Sequence, residues 1–269
     1  MEKGKKEKKG IQLQFAAFVI PVALVVAIII YKFVMGDPSH FQGGNSENNP
    51  NPGDYFGTIY KGGFIVPILI CLLLTVISFC IERYITISKA QGKSSVLNFV
   101  KSIRVNLTSN KINEALTLCD QQKGSVANVI KSALIKYQDV EKADDMTKDQ
   151  KLMAIQKDVE EATALELPGL EQNLVILATI SSVATLMGLL GTVLGMIRAF
   201  AALANAGAPD SVALAQGISE ALINTAFGIG TAAIAVIAYN FFTTKIDKLT
   251  YSIDEAGFSI VQSYAANHK

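Results

Sequence analysis

Residues 188–196, Gly188-Leu189-Leu190-Gly191-Thr192-Val193-Leu194-Gly195-Met196, and residues 217–226, Gly217-Ile218-Ser219-Glu220-Ala221-Leu222-Ile223-Asn224-Thr225-Ala226, lie in two long apolar segments within residues 174–242. The link Asn205-Ala206-Gly207-Ala208-Pro209-Asp210 joins them. Each segment exceeds the roughly 20 residues needed to cross a hydrocarbon core about 30 Å thick, so both are expected to be transmembrane helices forming a hairpin. Gly188, Thr192, Gly195, Ala199 and Ala202 recur at alternating four and three residues, and Gly217, Ala221, Thr225, Gly228 and Ala232 answer them. Such spacing puts each set on one helix face, where small side chains let backbones approach. The expectation is close helix packing through Gly188, Gly191, Gly195, Gly217 and Gly228, in a bundle assembled between copies.

Glu220 does not belong in lipid. A carboxylate at depth costs on the order of 2.5–3.5 kcal/mol even on the lenient insertion scale, and such residues mark ion paths. The position leaves two readings open: a structural acid kept neutral by burial, or part of a proton or cation path. Asn224, one turn on, is placed to bond the carboxyl. Arg198 reads as an interfacial residue whose head snorkels to water, with an ion pair to Glu220 as the alternative. Thr192 and Thr225, one on each small-residue face, can line a narrow polar passage or hydrogen-bond a guest helix, or simply bond a carbonyl one turn earlier.

The remaining apolar runs complete the topology. The chain has 269 residues, half of them hydrophobic, with a formal net charge of +1 and no Trp. Hydrophobicity and charge are segregated along it, and four spans are expected at residues 11–35, 62–82, 171–203 and 213–243. Lys3, Lys5, Lys6, Lys8 and Lys9 precede the first span, thirteen Lys or Arg fall from Arg83 through Lys157, and Lys245, Lys248 and Lys269 follow the last. The two other loops, 36–61 and 204–212, hold only Lys61. The positive-inside rule therefore places both termini and the middle segment in the cytoplasm.

The first run is too long for the apolar part of a signal peptide and is followed by no clear small-x-small site, so an uncleaved anchor is expected. The basic residues 1–10 suit a topogenic signal that also meets anionic lipid. Residues 36–61, rich in Gly, Asn and Pro, are expected to be a mobile loop without a core. The second span, uniformly apolar, is expected to face lipid.

Residues 83–170 read as amphipathic helices. Val96, Phe99, Val100, Ile103 and Leu107 form one stripe; Ile112, Ala115, Leu116 and Cys119 a second; Val126, Val129, Ile130, Ala133 and Leu134 a third. Gly124-Ser125 reads as break and N-cap, and another helix starts near Thr147. Residues 244–269 continue as a helix with Ile246, Leu249, Ile253 and Phe258 on one side. The expected fold is thus all-α, a polytopic membrane helical bundle with four spans and a helical cytoplasmic domain.

Several functions find no support. A near-neutral chain lacks the concentrated basic surface that nucleic acid requires. Gly188-Leu189-Leu190-Gly191-Thr192 lacks the Lys and spacing of a phosphate loop. Asp144/Asp145 and Glu160/Glu161 point in different directions on helices among lysines and read as solvated surface. Cys71, Cys80 and Cys119 have no paired or His-rich surroundings, so neither disulfide nor metal site is indicated. No internal inverted repeat of the solute-carrier type is visible. No cofactor and no bond-breaking catalysis are expected.

With residues 178–196 and 217–228 in view, the chain resembles the ExbB/TolQ/MotA family of stator proton channels, most closely ExbB. Gly188-Leu189-x-Gly191-Thr192-Val193-x-Gly195-Met196 followed by Ile218-Ser219-Glu220-Ala221-Leu222-x-x-Thr225-Ala226-x-Gly228 carries the likeness. The resemblance implies a homopentamer around a dimer of a single-span, ExbD-like partner whose membrane Asp takes up the proton. It also implies a TonB-like protein driven by the complex, in the bacterial inner membrane. By resemblance Thr192 and Thr225 match pore-facing threonines and Glu220 the acid near them.

This sequence departs from the pattern at Thr185 and Ile234, where family members often carry prolines, and residues 11–35 add a span to the usual three. A TolQ-like or motility stator and a passive membrane scaffold remain the alternatives.

Overall fold

The computed structural model describes residues 17–204 and 210–268. The basic residues 1–10, the start of the first span, the link at residues 205–209 and Lys269 lie outside the described residues. Among those described, four helices are long and apolar enough to cross a membrane, and no β-strand forms. The architecture is all-α, as the periodicities predict. The chain divides into two compact units, Met1–Cys80 with Val175–Tyr239 and Ile81–Leu174 with Asn240–Lys269.

The first unit holds the membrane elements. Helix α1 spans Ala17–Met35, its last stretch, Ile30–Met35, widening to a π-helix. A six-residue helix α2, Tyr55–Tyr60, precedes the long α3, Ile65–Gln91. Helix α8, Leu174–Ala204, and α9, Ser211–Asn267, form the two arms of the hairpin. Ala23, Ala27 and Met35 of α1 pack with Val66, Ile70 and Cys71 of α3 in one buried cluster. Helix α3 also buries Leu69, Val76 and Phe79 while Ile77 and Ile81 stay exposed, so it has a packed side that its uniform composition does not show.

Residues 36–61 likewise differ from the core-less loop expected of them. Phe41 is only 2% exposed and meets the Tyr60 ring edge-on, while Tyr60 stacks on Tyr31 of α1 at 4.6 Å. Asp54 accepts from the backbone N–H of Gly57 at 3.0 Å and pairs with His40 Nδ1 at 2.7 Å. Lys61 Nζ donates to the carbonyls of Ser46 and Glu47. A few aromatic contacts with α1 order a stretch whose composition alone could not.

The second unit is built from α4 (Val96–Thr108), α5 (Ile112–Gln122), α6 (Gly124–Glu141) and α7 (Lys148–Glu171), with the ends of α3 and α9. The apolar stripes are buried where the spacing predicts, except that Val96 and Leu116 are only half-buried. Helix α7 starts with a capping box between Thr147 and Gln150, which satisfies two of the amide donors a helix start leaves free. Helix α6 has no such cap: Lys123, at φ 57°, precedes its first residue Gly124, and Ser125 is not the N-cap. Gly92, at φ +85°, has no room for a side chain, since a Cβ there would lie 2.5 Å from the Gln122 carbonyl. Gln122 uses this proximity, donating to the carbonyls of Gln91 and Ser94 and accepting from the Ser94 amide and hydroxyl.

The C-terminal part of α9 keeps Ile246, Leu249 and Ile253 buried as expected, but Phe258 is 65% exposed. The buried face continues instead through Ala256, Ile260 and Tyr264, which keep the three-and-four spacing that Phe258, five residues after Ile253, breaks. Ser263 Oγ bonds the Leu107 carbonyl at 3.1 Å, and Tyr264 meets Tyr137 edge-to-face at 4.8 Å. Asp144, Asp145, Glu160 and Glu161 are all exposed.

Candidate functional site

The small-residue faces of α8 and α9 meet each other within the chain. A Cβ on Gly188 would lie 3.0 Å from the Asn224 carbonyl oxygen, one on Gly195 2.7 Å from that of Gly217, and one on Gly217 2.8 Å from the Ala199 amide. Gly191 is filled by the side chain of Asn224, and Gly228 lies against Ala184 and Gly188. In lipid, where apolar burial gives no drive for association, such contact and the hydrogen bonds it permits hold the hairpin.

At the centre of this seam the hydroxyls of Thr192 and Thr225 hydrogen-bond each other. Thr192 also donates to Gly188 O at 3.3 Å, and Thr225 approaches the carbonyls of Ala221 and Gly188 at 3.1 and 3.4 Å. Both threonines are half-buried. A hydrogen bond of this kind contributes about 0.6 kcal/mol on average in a membrane protein. The pair is therefore a polar spot more than a strong clasp.

Further toward the α8–α9 link, Arg198 Nη1 donates to both carboxylate oxygens of Glu220, at 2.5 and 2.6 Å. The ion-pair alternative holds. The Glu220 side chain is 10% exposed and that of Arg198 51%, so the guanidinium keeps contact with its surroundings while the carboxylate is enclosed. The guanidinium carbon also stands 6.0 Å from the centre of the Phe64 ring, within cation–π range. A buried charge is tolerable only when paired, and here the pair spans the two arms of the hairpin.

Asn224 does not bond Glu220 as expected. Its Nδ2 donates to the Gly62 carbonyl at 2.8 Å, and its Oδ1, fully buried, has no hydrogen-bond partner among the described residues. Gly62 and its neighbour Gly63 form the turn into α3. At Gly63, φ +75°, a Cβ would stand 2.6 Å from Glu220 Oε1, so only glycine lets the backbone come this close to the acid.

Glu220 and Arg198 border a cavity of about 770 Å³, lined also by Tyr31, Tyr60, Lys61 and Ser219. Sequence reading missed Tyr31, Tyr60, Lys61, Gly63 and the buried Thr231, whose hydroxyl likewise lacks a partner among the described residues. The aromatic residues near the ends of the first span and the 36–61 segment were the available signal. Among the described residues no group of three or more His, Cys, Asp or Glu could hold a metal ion.

The hairpin thus carries an acid, its counter-ion and two hydroxyls where its two helices pack closely. A stretch of the "Tol-Pal system protein TolQ" of Haemophilus influenzae is 42% identical over 84 residues, covering 31% of this chain and 37% of that one. The "Putative biopolymer transport protein ExbB homolog" of Methanothermobacter thermautotrophicus is 28% identical over 200 residues, 72% of this chain and 66% of its own. ExbB of Pseudomonas putida is 36% identical over 86 residues, 32% of this chain and 26% of its own. The chain thus spans about a third of the TolQ relative's length. The sequence model of the MotA/TolQ/ExbB proton channel family matches residues 121–255, half of the chain, and the protein belongs to that family.

Proposed function

We propose that the protein is an ExbB-like subunit of an inner-membrane proton channel and motor. With an ExbD-like single-span partner bearing a membrane Asp, it converts the proton-motive force into work on a TonB-like protein, energising outer-membrane transport. The observation that carries this reading is the enclosed Glu220, paired with Arg198 beside the Thr192–Thr225 contact on a helical hairpin. A chain with one acid enclosed in its hairpin needs a second group to load and unload the proton, and a partner's Asp supplies it. Assembly as a homopentamer would bring the Thr192 and Thr225 seams of several copies around such a partner, with Glu220 and Asn224 on the same path. About 2.3 kcal/mol per proton per 100 mV is available to repack a helix interface. Both termini lie in the cytoplasm on this reading.

A TolQ-like role is the second reading, favoured by the 42% identity to the Haemophilus influenzae TolQ over 84 residues. Co-purification bears on the choice: a TonB-like chain recovered with the complex supports the first, whereas a peptidoglycan-binding chain favours a motility stator. For the channel itself, Glu220→Ala and Thr225→Val are expected to abolish energised transport while the complex still assembles. Full transport in both variants would remove these residues from the mechanism, and retention of activity in Glu220→Gln would favour a passive scaffold.

A further inference from the structure

Three observations around Glu220 combine into a device that none of them shows alone. The carboxylate is held through both oxygens by Arg198 across the hairpin. Four residues on, and so on the same side of α9, Asn224 buries an amide whose nitrogen is bonded and whose oxygen is not. The two acceptors lie beside consecutive residues of one turn: a Cβ on Gly62 would stand 3.1 Å from Asn224 Oδ1 and one on Gly63 2.6 Å from Glu220 Oε1. Residues four apart on a helix are neighbours whose side chains can hydrogen-bond, so rotation of the Glu220 side chain turns its carboxyl from Arg198 toward Asn224.

A buried acceptor without a donor is costly, by roughly 1–3 kcal/mol for a neutral group. An ionised carboxylate cannot relieve it, because it only accepts; a protonated carboxyl carries an O–H and can. Resting on the channel reading above, we propose that Glu220 is a two-position proton switch: ionised it sits on Arg198, and protonated it leaves the guanidinium and donates its O–H to Asn224 Oδ1. Arg198 and Asn224 are positioning residues, one for each protonation state.

The proton enters from water in the cavity that Glu220 borders and forms the O–H bond. It leaves to an ionised carboxylate of the partner, whose protonation breaks that bond and returns Glu220 to Arg198. Arg198 stays charged throughout, free to face the cavity because half of its side chain is exposed. The other titratable groups lining this cavity are Tyr31 from α1 and Tyr60 and Lys61 from the segment before α3. Lys61 is already committed to the Ser46 and Glu47 carbonyls.

Infrared difference spectroscopy tests this on the full chain reconstituted with phosphatidylglycerol and phosphatidylethanolamine, titrated from neutral to acid pH. The protonated carboxyl of Glu220 is the C=O band that Glu220→Gln removes. In Asn224→Ala that band is expected to move to higher wavenumber, as a carboxyl that has lost its acceptor does. Asn224→Leu, which keeps the volume and lacks the acceptor, should move it equally and so separates hydrogen bonding from packing. In Arg198→Gln the carboxylate stretching bands of ionised Glu220 at neutral pH should shift, because both oxygens have lost their guanidinium donor.

A C=O band that keeps its frequency in both Asn224 variants, or carboxylate bands unmoved in Arg198→Gln, overturns the switch. Failure of the channel reading shows differently, as full energised transport in Glu220→Gln while the Asn224 and Arg198 variants still show their spectral shifts.

Discussion

Gly188 on α8 and Gly228 on α9 face each other so closely that a Cβ on Gly228 would stand 2.7 Å from the Gly188 Cα and 2.6 Å from the Ala184 carbonyl oxygen. These are backbone atoms, which cannot swing aside as a flexible side chain could. The contact therefore sets the separation of the two helices, and with it the meeting of Thr192 and Thr225 one turn further along each arm.

Gly228→Ala is accordingly expected to destabilise the chain by about 1–3 kcal/mol, the usual cost of overpacking. Gly230→Ala, where a Cβ meets nothing within 4 Å, should leave stability unchanged. Thiol labelling during thermal unfolding in detergent reads this directly. Cys71 and Cys119 are buried, and burial pushes the Cys119 thiol up to about 12, so label enters only as the chain opens. Equal midpoints for the two variants would show that the helices adjust freely.

Arg83 is completely buried, and its Nε and Nη2 donate to the Glu82 carboxylate while Nη1 donates to the Leu170 carbonyl at 2.9 Å. Glu82 also accepts from Thr86 and Asn173. The cluster ties the C-terminal part of α3 to the end of α7, whose last carbonyls have no partner within their own helix. Arg83→Met is expected to cost about 3–5 kcal/mol by leaving a carboxylate unpaired, whereas the double variant Arg83→Met with Glu82→Gln should recover much of that loss. The same unfolding assay checks it; a double variant no more stable than the single one would refute the account.

Asp54 gives the 36–61 segment a pH dependence of defined sign. The Gly57 amide, and after it His40, hold the Asp54 carboxyl below its ordinary value of 3.8. A group whose folded pKa is depressed stabilises above its unfolded value and ceases to do so as pH falls through the folded one. Amide exchange across residues 54–60 is therefore expected to be constant from neutral pH down to about that ordinary value and to accelerate, beyond the intrinsic trend, below it. Asp54→Asn should flatten the profile; a profile that steepens instead would reverse the sign.

Much of the architecture follows from local properties. The spans are legible because lipid demands about 20 apolar residues in succession, and the helices between the second and third spans because Phe99, Ile103 and Leu107 or Val126, Ile130 and Leu134 recur at helical spacing. Spacing errs where a single residue is attached to a face by proximity in sequence, as with Phe258. Composition errs on residues 36–61, because Phe41 and Tyr60 find their core against α1 and not within their own stretch.

The amino-acid order alone settles that Glu220, Thr192, Thr225 and Asn224 lie at depth in apolar helices, since hydropathy and the 3.6-residue turn need no partner to be read. Which atoms meet was settled by packing. Arg198 reaches Glu220 across 22 residues of chain, and Asn224 turns to Gly62 across 162, because close contact of α8 with α9 and the Gly62-Gly63 turn brings them together. Hydrogen bonds are short and directional, so a periodicity can place a side chain on a face but cannot choose its partner on another helix.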